Sequence, residues 1–278
     1  MGKYRLLRDR LLAEGAFSEE DFAVAEPAGD EAILRAHDGA YLRRVVDGKL
    51  DPAEIRAIGF PWSERMVERS RRSSGATLAA AREALVRGWG ANLAGGTHHA
   101  FRDRGEGFCV FNDAAIAARA LQVEAGLQRI AIVDCDVHQG NGTASIFADD
   151  PSVFTFSIHA ARNFPFAKER SDLDIELPDG TGDDEYLWHL ERGLDETLER
   201  SRPQLVFYLA GADPFEGDRL GRLKLTKAGL KRRDEWVLGT LRSRGIPVAI
   251  AMAGGYAHDI ADSVEIHANT LHVARALE

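Results

Sequence analysis

Short apolar runs alternate with longer amphipathic segments along most of the chain. Runs of four to seven residues rich in Val, Ile, Leu and Phe predict strands that are buried on both faces. The full set of predicted strands covers 91–94, 129–133, 153–158, 172–177, 205–210 and 247–253, of which 172–177 contains three acidic residues and is placed at an edge of the sheet. Strands separated by helices predict an α/β protein in three layers, αβα, with a mainly parallel central sheet.

Glycines and capping residues set the ends of the predicted helices. Residues 1–60 are predicted to be largely helical, and a long helix is predicted from about Trp62 to Arg87, ended by Gly88. The other predicted helices cover 113–125 (capped by Asn112), 143–147, 183–200, 226–244 (capped by Thr226) and 257–277. No linker or repeat interrupts the pattern, so we expect a single domain over residues 1–278.

Composition excludes several classes of protein. The chain has 35 Lys and Arg against 44 Asp and Glu, so it lacks the cationic excess that neutralises nucleic-acid phosphates. Two cysteines exclude a disulfide framework. The sequence contains neither an apolar signal core nor a run long enough for a membrane span. We therefore expect a soluble, cytoplasmic protein without nucleic-acid or membrane partners, whose basic run 69–72 is a solvated helix face.

Polar side chains follow two of the predicted strands. Asp134, Asp136 and His138 come after strand 129–133, and Asp213 comes after strand 205–210. If the first segment stays extended, its period of two places all three side chains on one side. Carboxylates packed together at a buried strand end require a cation, because isolated buried charges are costly. Two oxygen ligands, one nitrogen ligand and an open position describe a hydrolytic zinc centre.

Other candidate residues also lie at carboxyl ends of strands, where α/β proteins bind ligands. His98 and His99 follow the segment 94–97, and Tyr256 follows two glycines that let the backbone turn tightly. Taken alone, adjacent histidines or one tyrosine are more often structural. Their shared position with the acidic segment favours a common site. His159, after strand 153–158, receives no assigned role.

Several motifs together resemble those of the zinc-dependent histone deacetylase superfamily, which has the arginase–deacetylase fold. They are GGTHHAF (95–101), GEGFCVFND (105–113), DCDVHQGNGT (134–143), TFSIH (155–159), AGADP (210–214) and GGY (254–256). These segments span most of the chain and are jointly very specific. Two further segments, GDDEYL (182–187) and EGDRLGR (216–222), look most like the class IV branch and its bacterial relatives.

The resemblance implies a role for each motif residue. It assigns zinc to Asp136, His138 and Asp213, and proton transfer to His99. His98 would hydrogen-bond Asp134, and Tyr256 would donate to the substrate carbonyl oxygen. The Gly107 carbonyl would contact the substrate, and Phe108 and Phe164 would wall the channel that the substrate enters. The resemblance also implies a structural potassium ion near Asp134 and Ser157.

The chain also departs from the family pattern. Asn141 stands where some members have an aspartate partner for the second histidine, a feature shared with class II and IV members, so we expect a less charged but working relay. Ala253 replaces a glycine before Gly254. The family's first strand and a pocket-lining loop are expected to lie upstream of residue 1, so the domain is expected to lack that strand.

The implied activity is removal of an acetyl or longer fatty acyl group from an acylated lysine peptide or a related amine. The metal would be zinc, with ferrous iron as the alternative, and the oligomeric state stays open. An acetylpolyamine deacetylase and a non-catalytic acyl-lysine binding protein are alternatives. An arginase-like enzyme with two manganese ions is disfavoured, since it needs a further acidic ligand near Asp213.

Overall fold

The computed structural model describes residues 2–278 and is built on a six-stranded sheet in which all paired strands are parallel. The strands are β1 (Trp89–Asn92), β2 (Ile130–Asp134), β3 (Val153–Ala160), β4 (Leu173–Leu177), β5 (Leu205–Leu209) and β6 (Val248–Ala251). Their order is β1-β6-β5-β2-β3-β4. The predicted α/β class and the edge position of β4 are confirmed.

Helices cover both faces of this sheet. They are α1 (Lys3–Ala13), α2 (Asp30–Leu34), α3 (Gly39–Val46), α4 (Pro52–Ile58), α5 (Glu64–Arg87), α6 (Asp113–Glu124), α7 (Asn141–Phe147), α8 (Asp183–Ser201), α9 (Lys227–Ser243) and α10 (Ile260–Ala276). Residues of β2 alternate between two apolar cores. Ala131 and Val133 pack with α1, α8, α9 and α10, whereas Ile130 and Ile132 pack with α2 to α6. This alternation is the period of two that a strand imposes.

The predicted helix caps are present. The Asn112 side chain accepts a hydrogen bond from the Ala115 N–H at 3.0 Å, and Thr226 accepts one from the Gly229 N–H at 2.9 Å. Gly88 ends α5 in the left-handed conformation. Each cap satisfies a backbone group that the first or last turn of its helix leaves unpaired.

Several predicted boundaries were wrong by one or more residues, and three of them have a clear physical reason. β1 begins two residues earlier than predicted, because Trp89 pairs with Val248 in the sheet. The last helix begins at Ile260 rather than at 257, because the Asp259 side chain accepts from the Ala261 N–H and caps it there. The third boundary is the end of β2, which bears directly on the site. No helix in residues 2–278 is both long and apolar enough to cross a membrane.

β2 ends at Asp134, so the acidic segment is not one extended strand as predicted. The Asp136 N–H donates to Asp134 Oδ1 at 3.1 Å, and the His138 N–H donates to Asp136 Oδ1 at 3.0 Å. Side chains that bond the backbone two residues on stabilise turns instead of strands. The ligands are therefore brought together by a bend just beyond the strand.

Candidate active site

Three candidate metal ligands meet at the carboxyl edge of the sheet. One ligand atom from each of Asp136, His138 and Asp213 lies within 4.8 Å of the others. They meet because β2 and β5 are neighbours in the sheet, with Asp134 paired with Leu209. The bends that follow the two strands are therefore adjacent. The described part of the chain shows no other group of three such ligands.

The surroundings of these ligands fit a divalent cation. Asp213 Oδ1 accepts from the Val137 N–H at 3.0 Å, but the buried Oδ2 has no hydrogen-bond partner among the described residues. Asp136 Oδ2 accepts from the Gly254 N–H at 2.9 Å. Burial and the charge of Asp136 raise the pKa of Asp213. Two buried carboxylates and one imidazole form a donor set that suits zinc, and the partnerless oxygen marks where a cation would bind.

Gly254 leaves the space that this donor set needs. A Cβ at this position would lie 1.8 Å from Asp213 Oδ2 and 2.5 Å from Asp136 Oδ2. Any side chain here would displace both carboxylates. The absence of a side chain is therefore a condition for the ligand geometry.

The histidine pair is placed by a turn anchored on Asp113. This buried carboxylate accepts from the Gly96 N–H at 2.9 Å and from the Thr97 N–H at 2.7 Å. Gly95 and Gly96 both have positive φ, of 82° and 72°. The turn carries His98 and His99 from the end of β1 to the candidate metal ligands, with their rings 4.1 Å apart.

The two histidines have different electrostatic surroundings. His98 Nδ1 lies 2.6 Å from Asp134 Oδ2; burial opposes its charge, but Asp134 and Asp136 raise the pKa of His98 to about 9. His99 Nδ1 lies 2.7 Å from Asn141 Oδ1. Burial and the neighbouring His98 hold the pKa of His99 well below its usual value. With Nδ1–H donating to Asn141, His99 is neutral and its Nε2 can accept a proton.

Tyr256 is held by its backbone, which leaves its side chain directed at the cavity. Its N–H donates to Asp218 Oδ2 at 2.6 Å, and its carbonyl accepts from Arg219 Nε at 3.0 Å. Lys3 Nζ donates to the carbonyls of Ala253 and Gly255 at 3.2 and 3.3 Å. Burial raises the pKa of the phenol, so at neutral pH it is a hydrogen-bond donor.

The candidate site lies in a cavity of about 1060 Å³. The Phe164 ring contacts His99 edge-on at 4.9 Å between centroids, and Phe108 lies 6.3 Å from Tyr256. The Gly107 carbonyl accepts a weak hydrogen bond from the Cys109 thiol at 3.4 Å. Phe108 is 46% exposed at the mouth. The prediction that the basic run 69–72 is a solvated helix face was wrong for Arg69. This residue lines the cavity, with its guanidinium 4.8 Å from the Phe60 ring.

The predicted potassium ligands are neighbours in the sheet. Asp134 pairs with Ser157 across β2 and β3, and Ser157 Oγ lies 2.9 Å from His159 Nδ1. The buried His159 therefore contacts one of these candidate residues.

Several supporting residues received no role in the sequence analysis. Lys3 and Asp218 hold the Tyr256 segment through backbone groups. Asn163 Nδ2 lies 3.3 Å from His138 Nε2. The buried Arg233 donates to the Gly211 carbonyl at 2.6 Å and pairs with Asp234 at 2.9 Å. Of these, Asp218 lies in the segment 216–222 that resembles the family, and its side chain accepts from the Leu220 and Gly221 N–H groups, as aspartates in turns do.

The family model for the histone deacetylase domain matches residues 1–271. This chain belongs to the histone deacetylase family. Histone deacetylase 2 of Arabidopsis thaliana is 34% identical over 272 residues, which cover 92% of this chain and 70% of that protein. A histone deacetylase-like amidohydrolase of Pseudomonas aeruginosa is 30% identical, covering 91% of this chain and 70% of its own length.

Solved structures of the histone deacetylase family share the fold. A crystal structure of an HDAC homologue from Aquifex aeolicus aligns with a TM-score of 0.83 at 25% identity, covering 97% of this chain and 77% of that one. A structure of an HDAC homologue in complex with SAHA aligns with the same score and identity.

A further sequence relative is an uncharacterized protein of Picosynechococcus. It is 48% identical over 277 residues, which cover 99% of this chain and 92% of that protein.

Proposed function

We propose that this protein is a metal-dependent deacylase that hydrolyses the amide of an N-acylated lysine, with zinc as its metal. The observation that carries the proposal is one cavity lined by three converging candidate ligands, by His99 and by Tyr256. Family membership supports it, because related proteins are named deacetylases and an amidohydrolase. Residues 1–278 would act as one catalytic domain.

Asp136, His138 and Asp213 would hold the metal. When bound, it supplies Lewis acidity that polarises the amide carbonyl and lowers the pKa of a water. The carboxylates bring two negative charges to a buried place, and the hydrogen bonds from Val137 and Gly254 fix their orientation. Such supporting contacts keep ligands in place before the metal arrives.

His99 would take a proton from the attacking water and pass it to the leaving amine. Its Nδ1–H is held by Asn141, so Nε2 is the basic atom. His98 would stay protonated beside Asp134, and its positive charge keeps His99 neutral. A histidine with a depressed pKa is a ready base at neutral pH and becomes a strong acid once protonated.

Tyr256 would donate a hydrogen bond to the carbonyl oxygen as negative charge develops on it. Its segment is held by Asp218, Arg219 and Lys3, so little reorganisation is needed. Phe108 and Phe164 would flank the methylene stem of the lysine, and the Gly107 carbonyl would accept the amide N–H. Potassium near Asp134 and Ser157 would balance the charge beneath the site.

The cavity of about 1060 Å³ is also lined by the small residues Ala76, Ala94 and Gly95. This volume gives room for an acyl group longer than acetyl. We propose that both acetyl-lysine and longer acyl-lysines are substrates.

The test measures turnover of lysine peptides that carry acetyl or myristoyl groups, together with the metal content of each sample. We expect zinc-dependent turnover; ferrous iron would be the alternative if iron-loaded protein is faster. His99→Ala and Tyr256→Phe should each lower kcat by about a hundredfold or more while metal is retained. Turnover at wild-type rates in both variants would contradict the assigned roles. Absence of turnover in the metal-loaded protein would favour a binding protein.

A further inference from the structure

The cavity that contains the candidate metal site has a cationic lining, although the whole chain has a formal net charge of −9. Six arginines and Lys3 line it. Within residues 2–278 the carboxylates that line it belong to the two candidate metal ligands, Asp136 and Asp213. The surroundings of the mouth are therefore opposite in charge to the rest of the protein.

Three of these arginines lie on one side of the mouth, next to Phe164 and Tyr256. They are Arg162, Arg219 and Arg222. Asn163 joins the two loops that carry them, since its Oδ1 accepts from the Arg222 N–H at 3.0 Å and its Nδ2 donates to the Leu220 carbonyl at 2.7 Å. Arg162 precedes Asn163 in the chain and is exposed. Arg219 holds the Tyr256 carbonyl at 3.0 Å. Cationic groups thus border this wall.

Arg56 also lines the cavity, on the helix whose end binds the Phe108 loop. It belongs to α4, and the two residues that follow it bind the Phe108 loop. The Gly107 N–H donates to the Ala57 carbonyl at 3.0 Å, and the Phe108 N–H donates to the Ile58 carbonyl at 2.8 Å. Arg56 is exposed. Positive charge is therefore present near both Phe108 and Phe164.

Much of this charge is not neutralised by the protein. Arg222 pairs with Asp179 at 3.0 Å. Arg56, Arg162 and Arg219, by contrast, make no ion pair with any carboxylate of the described residues. A concave surface lined by one sign of charge concentrates ligands of the opposite sign. An anionic ligand at the mouth would find several guanidinium groups without a competing acid.

We propose that the substrate is an acyl-lysine flanked by acidic residues on both sides. This inference rests on the proposed deacylase function and names its substrate class. A peptide whose lysine enters the channel places its flanking residues over the two walls, where Arg56 and Arg162 lie. Acetylated polyamines fit poorly, because their remaining ammonium groups would face the arginines.

The test compares three peptides with the same central acetyl-lysine and with aspartate, serine or lysine at the flanking positions, with acetylspermidine as a fourth substrate. We expect kcat/KM to be highest for the acidic peptide and about tenfold lower for the basic one, mainly through KM. The preference should shrink when NaCl rises from about 50 to about 500 mM.

Two variants test whether Arg162 and Arg56 cause the preference for the acidic peptide. Arg162→Gln and Arg56→Gln should each raise KM for the acidic peptide about threefold and leave the serine peptide nearly unchanged. The matched control is Arg82→Gln on α5, whose guanidinium pairs with Glu124 at 2.7 Å away from the cavity. This control should change neither value.

Peptide binding, measured by fluorescence anisotropy, separates this inference from the proposed function. If no peptide is hydrolysed but the acidic peptide binds most tightly, the deacylase proposal fails and the charge preference stands. Equal kcat/KM and equal affinity for the three peptides would overturn the preference. So would a preference for the basic peptide or for acetylspermidine.

Discussion

Replacing His37 by glutamine should remove part of the acid sensitivity of the fold. His37 lies between α2 and α3 and is buried against the start of α6. There its Nε2 accepts a hydrogen bond from the Asn112 N–H at 2.9 Å. Burial lowers the pKa of His37 to about 4. An unfolded histidine titrates near pH 6.5. The fold therefore accepts the neutral imidazole and resists the charged one.

The direction of the effect follows from these two pKa values. Well above pH 6.5 His37 is neutral in both states, so there it adds no pH dependence. Between pH 6.5 and 4 the unfolded chain takes up a proton that the folded chain does not, so stability falls as pH falls. At about 1.4 kcal/mol per pKa unit, the full loss is about 3 kcal/mol, of which about 2 kcal/mol is reached by pH 5.

Urea unfolding of chelator-treated protein at pH 7.5, 6.5, 5.5 and 5.0 measures the effect. At pH 7.5 His37→Gln should be less stable than the wild type, because packing around the ring is altered. Between pH 7.5 and 5.0 the stability of the wild type relative to the variant should fall by about 2 kcal/mol. His258→Gln, at an exposed position, is the control. A stability difference that stays constant across this range would refute the reasoning.

Three further variants test how the site is supported. Gly254→Ala places a methyl group against Asp213 and should weaken zinc binding about tenfold to a hundredfold in a competition assay with a chelating dye; an unchanged affinity would count against the ligand set. Lys3→Met removes two hydrogen bonds from the Tyr256 segment and should lower kcat about tenfold, with Lys3→Arg restoring most of it; a change confined to KM would contradict this role. Arg233→Met leaves the buried Asp234 without its cation and should lower the free energy of unfolding by about 3 kcal/mol in urea titrations, whereas a loss below about 1 kcal/mol would show that the pair is dispensable.

Local patterns were enough to predict the layers of the fold. β2 and β5 are almost continuous apolar runs because both their faces are buried, and such runs are visible in a sequence. The strand order was not predictable in this way. β1 pairs with β6, whose residues lie far along the chain, and backbone pairing leaves no mark on side-chain choice.

The candidate site was partly predictable for the same reason. Asp136, His138 and Asp213 could be singled out because they follow the carboxyl ends of buried strands, where α/β proteins bind ligands. The bend after Asp134 was missed, since competition between side-chain and strand hydrogen bonds depends on the surroundings. Lys3 could not be found at all, because its partners are backbone carbonyls about 250 residues away.

The central claim is that Asp136, His138 and Asp213 bind one catalytic metal ion. Its most direct test is the zinc content of the wild type and of Asp213→Ala after dialysis against a weak chelator, measured by inductively coupled plasma mass spectrometry. We predict stoichiometric zinc in the wild type and almost none in a folded Asp213→Ala variant. Stoichiometric zinc in that variant, or none in the wild type after loading, would contradict the account.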